Sequence, residues 1–267
     1  MEYDLEPIAG QNLSEAWAKA FLLSHKSSDA ALSTGIVSFP VNEDDPAWKL
    51  ETDGIRDALE SQLKKSNILS ANQSNVETVA GTIFPESIWN RCGGDREKLF
   101  NKYDKMWPQI KKCGANKWGT YFRRLTSFGD KGINQLEKIL EFWNDDIYRR
   151  SALQAGIFDP YRDHRHLKIL GFPCLQQVVF HPIGSKGRGG LKVVALYANQ
   201  LIIEKAYGNY LGLYRLGKFM ASEMGLTLKR ITCIATHLKE SDNQKNRRKG
   251  DLAGLASRLR KELPDAK

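Results

Sequence analysis

CLQQVVFH (174–181), IGSKGRGG (183–190) and LKVVALY (191–197) are the stretch on which the fold turns. Two short runs rich in β-branched residues flank a glycine-laden connector, the pattern of an antiparallel hairpin. The connector lacks the order of a phosphate-binding P-loop and sits between strands rather than before a helix, so it is expected to be a turn. Next along the chain, Tyr210, Leu213, Leu216 and Met220 recur at helical spacing, and Gly225 stands where a helix C-cap is expected. Ile231–Ala235 then returns to strand character. Strands and a long helix interleaved this closely predict an α/β (α+β) fold, a mixed sheet flanked by helices.

Upstream, Asn12 and Glu15 have capping-box spacing, which opens a helix near Leu13 that runs toward Ser24 and carries Trp17, Phe21 and Leu22. ALSTGIVSFPV (31–41) reads as one strand ended by Pro40, and the polar stretch 66–75 as a loop. From Thr78 to Trp89 the pattern fits helix and strand equally, broken by Pro85, and 91–117 is basic with no regular period. Ile133, Leu136, Ile139 or Leu140, and Trp143 mark an amphipathic helix beyond Gly132. At the other end, Leu252, Leu255 and Leu259 suggest a short final helix within a basic C-terminal segment, 241–267, whose KNRRKGD run (245–251) reads as a solvated face.

The chain has 267 residues, 41% of them hydrophobic and 27% charged, ordinary values for a packed globular protein. No linker-like segment divides it, so 1–267 is expected to form a single domain. No apolar run reaches the roughly 20 residues that span a bilayer. The beginning MEYDLEPIAG lacks the basic-then-apolar order of a secretory signal, so a cytoplasmic protein is expected. Cys92, Cys113, Cys174 and Cys233 are too scattered for a zinc site or a disulfide scaffold, and no metal is expected. With 40 Lys+Arg against 31 Asp+Glu the formal charge is +9, which permits attraction to phosphates or nucleic acid without specifying either.

Four segments recur in a telling order: WGTYFRR (118–124), YRR (148–150), Pro173-Cys174, and YANQLIIEKAYGN ending at Asn209, followed by THLK around His237. Over roughly 118–240 this resembles the thymidylate synthase family, which includes the pyrimidine-nucleotide hydroxymethylases. The resemblance implies a homodimer and a C5 methyl- or hydroxymethyltransferase acting on a pyrimidine nucleotide or nucleoside. It assigns Cys174 as the nucleophile that adds to C6. By the same resemblance Asn209 holds the pyrimidine edge, leaning toward uracil, and His237 the sugar. Arg149 and Arg150 reach across the dimer to a phosphate, and Arg123 takes the arginine position of the segment before them. An asparagine before a helix also serves as an N-cap, and both roles can coexist in Asn209.

The departures are equally specific. Ala198 and Asn199 replace the family's Arg-Ser pair, Leu201 replaces the aspartate that holds folate, and Lys239 replaces a tyrosine. Arg149, Arg150 and Arg165 are the remaining candidates for a cation beside the thiol. The implied cofactor, 5,10-methylenetetrahydrofolate, therefore lacks its expected polar contact. The alternative from another class is a protein that kept the fold, lost turnover, and binds a nucleotide, nucleic acid or a protein partner.

Overall fold

The computed structural model describes residues 7–27, 31–32, 34–65, 75–145, 149–164, 166, 172–184, 188–241 and 249–263. The polar stretch 66–74, Tyr148, Arg165, the middle of the 183–190 connector and most of the 245–251 basic run lie outside them.

A six-stranded mixed sheet forms the centre, in the order β1 (Ile8–Ala9), β3 (Gly35–Pro40), β8 (Thr227–Ala235), β6 (Gly190–Tyr197), β5 (Leu175–Ile183) and β4 (Gln154–Gly156). The expected hairpin is there: β5 and β6 pair antiparallel, from Leu175 opposite Tyr197 to Ile183 opposite Gly190. β6 and β8 run parallel, joined by the long helix α9 (Tyr207–Glu223), which ends before Gly225 at φ +65° as the C-cap reading requires.

The sheet is two-faced. Along β6 the residues Leu191, Val193, Ala195 and Tyr197 are buried, and along β8 so are Ile231, Cys233 and Ala235, whereas Val194, Leu196, Thr232 and Ile234 on the other face are half-exposed. Helix α9 covers the buried face, with Tyr210, Leu213, Leu216 and Met220 all fully buried. Its contact with α3 (Val76–Ile83) is intimate: a Cβ on Gly208 would stand 2.5 Å from Val79 Cβ and 2.7 Å from the Val76 carbonyl, so only glycine allows that approach.

Helix α1 (Leu13–Lys26) opens as its caps predict. Asn12 Oδ1 accepts from Glu15 N at 3.0 Å, and the Glu15 carboxylate reaches back one residue further than expected, to Gln11 N at 3.1 Å. α7 (Gln135–Asn144) buries Leu136, Ile139, Leu140 and Trp143 of the stripe read from sequence, whereas Ile133 lies before the helix, bridged to Phe128 and exposed. The final helix, α10 (Lys249–Glu262), is longer than a short cap and packs Leu252, Leu255 and Leu259 inward against α2 (Ile55–Lys65).

Two expectations need correction. Residues 31–41 are not one strand, because β2 (Ala31–Leu32) leaves the main sheet for a small one of order β2, β9 (Leu238–Lys239), β7 (Gln200–Leu201). Gly35 marks the break, for a Cβ there would sit 2.6 Å from the Leu238 side chain. The ambiguous 78–117 region is largely helical: α3, α4 (Glu86–Asn90) and α5 (Arg96–Ile110), the last carrying Pro108 near its end. α6 (Tyr121–Thr126) and the single turn α8 (Pro160–Asp163) complete the set.

Candidate active site

Cys174 is a free, half-buried thiol immediately before β5. Its carbonyl accepts from Ala198 N at 2.9 Å, which ties it to the end of β6. The neighbouring strand ends there too: Thr236 donates through its N–H to the Tyr197 carbonyl at 2.9 Å and through its hydroxyl to the Ala198 carbonyl at 2.6 Å. Gln200 N then donates to the His237 carbonyl at 2.9 Å, and the Tyr210 hydroxyl donates to Gln200 Oε1 at 3.1 Å. One continuous hydrogen-bonded relay thus gathers Cys174, the residue before His237, His237 itself and the residue after Asn209 at one end of the sheet.

Within this group the polar atoms are unusually short of partners. Tyr197 OH, Asn199 Oδ1 and Gln200 Nε2 are buried with no hydrogen-bond partner among the described residues. Asn209 is only 3% exposed. A buried donor or acceptor left unpaired costs about 1–3 kcal/mol, so such a cluster marks a place where something other than packing is served. Tyr197→Phe, which deletes an orphan hydroxyl on a fully buried ring, should raise the unfolding free energy by about 1 kcal/mol in a denaturant melt. A loss of stability would show that the hydroxyl does have a partner.

The thiol has close electrostatic neighbours. Tyr121 takes backbone hydrogen bonds from Leu175 and Cys174, and its phenol is pushed above the ordinary tyrosine range by burial first and by the charge of Cys174 second. Burial likewise drives the Tyr197 phenol well up. Lys205 couples to Cys174 as well: desolvation pulls its ammonium below the usual lysine value, while Glu204 and Cys174 oppose that pull. Lys205 is exposed to solvent, so its attraction for a Cys174 thiolate is screened and weaker than that of a buried cation.

Lys205 reaches this position from a π-helical turn, Ile202–Ala206, that runs directly into α9. Trp17 Nε1 pins the turn by donating to the Ile202 carbonyl at 2.9 Å, and Ile203 N donates to the Glu240 carbonyl at 3.1 Å. Turns of this kind concentrate at functional sites because they re-aim a few side chains without ending the helix. They also change the reading of Asn209. It lies in the first turn of α9, whose N-cap position is Ala206 with no side-chain cap, so Asn209 does not cap the helix and its amide is not spent on that role.

The arginine candidates separate from this group, and His237 joins it through its backbone carbonyl. His237 is exposed just beyond β8. Arg149 and Arg150 are exposed and lead into β4, which pairs with β5, Gln154 opposite Val179 and Gly156 opposite Gln177. They therefore lead in beyond Val179, five residues or on the order of 17 Å along β5 from Cys174 at ~3.3 Å per residue. Arg123 turns to α5, where it pairs with Asp104 and lies 5.4 Å from the Trp107 ring centroid. Its neighbour Arg124 is the buried one. It forks onto Asp163 at 2.6 and 3.2 Å, donates to the Ile157 carbonyl at 3.3 Å, and stacks on Phe172 two residues before Cys174.

Sequence reasoning missed Tyr121, Tyr197, Gln200 and Lys205. The signal was the polar pair Asn199-Gln200 directly after an apolar strand, where amides have no reason to be buried. Among the described residues no group of three or more His, Cys, Asp and Glu side chains could hold a metal ion, and no helix is long and apolar enough to cross a membrane. No family model matches the chain, and no curated protein matches it.

Proposed function

We propose that this protein is a thymidylate-synthase-like C5 transferase that acts on a pyrimidine nucleotide or nucleoside through Cys174. The observation that carries the reading is the meeting, at one sheet end, of a half-buried thiol with three buried polar atoms, Tyr197 OH, Asn199 Oδ1 and Gln200 Nε2, that have no hydrogen-bond partner among the described residues.

In this reading the Cys174 thiolate adds to C6 of the ring, and the C5=C6 electron pair moves to make C5 an enolate-like carbon nucleophile. C5 then attacks a one-carbon electrophile at the formaldehyde level, loses its proton, and expels the thiolate to restore Cys174. Lys205 holds the thiolate before addition. Asn209 presents an amide that can donate and accept at once, which suits the N3–H and O4 edge of uracil. Ala198 and Leu201 shape the substrate: the first offers no cation to a terminal phosphate and the second no polar atom to a pterin. Leu201 removes one polar contact expected for a pterin, so the one-carbon donor is 5,10-methylenetetrahydrofolate held by other contacts, another carrier or free formaldehyde.

The half-exposed sheet face, with Ile36, Val194, Leu196, Val179 and Ile234, suits a second copy of the chain. Arg149 and Arg150 would then act on the partner's substrate, a role that their strand offset from Cys174 supports. A thermal-shift panel of uridine and cytidine nucleotides and nucleosides, with and without methylenetetrahydrofolate, tests the reading on a sample whose mass by light scattering should be that of a dimer. A ligand at 100 times its Kd stabilises by about 2.7 kcal/mol, well within detection. No shift with any pyrimidine would favour the retired, non-catalytic alternative.

A further inference from the structure

A second concave site lies outside the cluster at Cys174. It is a cavity of about 490 Å³ between α5, α6 and the loops that precede α7 and follow α8, within the range of small-molecule sites. Two indoles, Trp107 and Trp118, and the Phe172 ring supply its aromatic surface. Each ring is backed by a cation: Arg123 lies 5.4 Å from Trp107, Lys117 5.1 Å from Trp118, and Arg124 5.4 Å from Phe172.

The charge balance is lopsided. The lining holds two carboxylates, and both are taken: Asp163 by Arg124 at 2.6 Å and Asp130 by Arg162 at 3.1 Å. Arg123 is held by Asp104. Lys111 and Lys117 also line the cavity and have no carboxylate within salt-bridge reach among the described residues. Lys102 and Lys105 of α5 are also at or near the surface.

A bare anion would need the lysines but not the indoles, and an apolar ligand would need the indoles but be penalised beside the lysines. The pair together matches a planar ring that carries a phosphate. We propose that this cavity binds one nucleotide unit, its base against Trp107 or Trp118 and its phosphate at Lys111 and Lys117. Stacking on an aromatic side chain contributes about 1–3 kcal/mol per base and tolerates any base, and lysines add a salt-dependent attraction. The site is independent of the Cys174 reading, because nothing in it requires a pyrimidine.

The test therefore uses adenine, which cannot undergo thiolate addition at a pyrimidine C6. AMP is titrated by calorimetry, and a fluorescent oligo-dA by anisotropy, from 50 to 300 mM salt. Binding of either supports the site, and the arm that binds tells whether free nucleotide or a single strand is the source. Lys111→Glu with Lys117→Glu, both exposed positions, should weaken binding at least tenfold. For the strand it should also reduce the salt slope by about 0.7, the contribution of the one phosphate that the two lysines neutralise. Trp107→Ala with Trp118→Ala should weaken binding with the slope unchanged, and Cys174→Ala should leave it intact. Should the charge reversal unfold the protein, the milder Lys111→Ala with Lys117→Ala serves instead. No binding of either probe at 50 mM salt, or binding indifferent to the lysine changes, overturns the proposal.

Discussion

Arg124→Ala is expected to lower the unfolding free energy by about 3–5 kcal/mol, the cost of removing one partner from a buried ion pair. Arg124 is 6% exposed, and its partner's carboxylate side chain, that of Asp163, is 4% exposed. The truncation leaves that carboxylate in protein with no guanidinium, although Asp163 Oδ2 still accepts from Asp159 N at 2.8 Å. It also frees the Ile157 carbonyl and removes the cation from the Phe172 ring. For a chain of this length each kcal/mol moves the melting temperature by about 2–4 °C, so a drop on the order of 10 °C should appear by circular dichroism. Because Phe172 also packs against Tyr121 at 5.1 Å, and Tyr121 receives backbone hydrogen bonds from Cys174 and Leu175, the loss should spread to the thiol segment. Arg123→Ala, one residue away, should cost far less, since it removes an ion pair with an exposed Asp104.

The largest functional effect falls on Cys174. If the proposed reaction is right, Cys174→Ala should abolish C5 transfer, by roughly the 10⁴–10⁶-fold seen when a nucleophile is removed from other covalent catalysts. Because the side chain is half-buried and small, the fold should survive and a pyrimidine ligand should still bind through Asn209. Ligand binding without turnover in Cys174→Ala, and loss of both in Asn209→Ala, would separate the bond-forming residue from the recognising one. Activity retained in Cys174→Ala would remove the nucleophile from the account.

The sequence carried the sheet and its long helices well because their signals are local. Leu136, Ile139, Leu140 and Trp143 repeat at helical spacing and all are buried in α7, and the β-branched runs on either side of the 183–190 connector pair as β5 and β6. α5 was illegible for the opposite reason: it buries only Leu99 and Tyr103, so its apolar stripe is too thin to outweigh its lysines, and Pro108 interrupts its last turn. The split of 31–41 depends on Leu238, two hundred residues away, and no local pattern reports it.

The site divides the same way. Cys174, Asn209 and His237 could be read from their order, and the relay through Ala198, Thr236 and Gln200 brings the segments that carry them to one sheet end. Tyr121, Tyr197 and Lys205 could not, since their roles come from strand pairing and from a π turn that no periodicity predicts. Of the arginines near Cys174 in sequence, Arg149 and Arg150 lead into β4 beyond Val179 of β5, Arg165 lies outside the described residues, and Lys205, 31 residues downstream, is a further cation that order alone does not suggest.

Limited alkylation tests the centre of the account most directly. Of the four cysteines, Cys92 and Cys233 are buried, with burial pushing the Cys233 thiol well up, and Cys113 is an exposed surface thiol that serves as an internal standard. Iodoacetamide at neutral pH, followed by mass spectrometry, should label Cys174 faster than Cys113 despite its lower exposure, and Lys205→Met should slow it toward the Cys113 rate. A pyrimidine nucleotide or nucleoside should protect Cys174 and leave Cys113 unchanged. Labelling of Cys174 no faster than Cys113, with no pyrimidine protecting it, would contradict a nucleophilic thiol at this sheet end and leave only the fold.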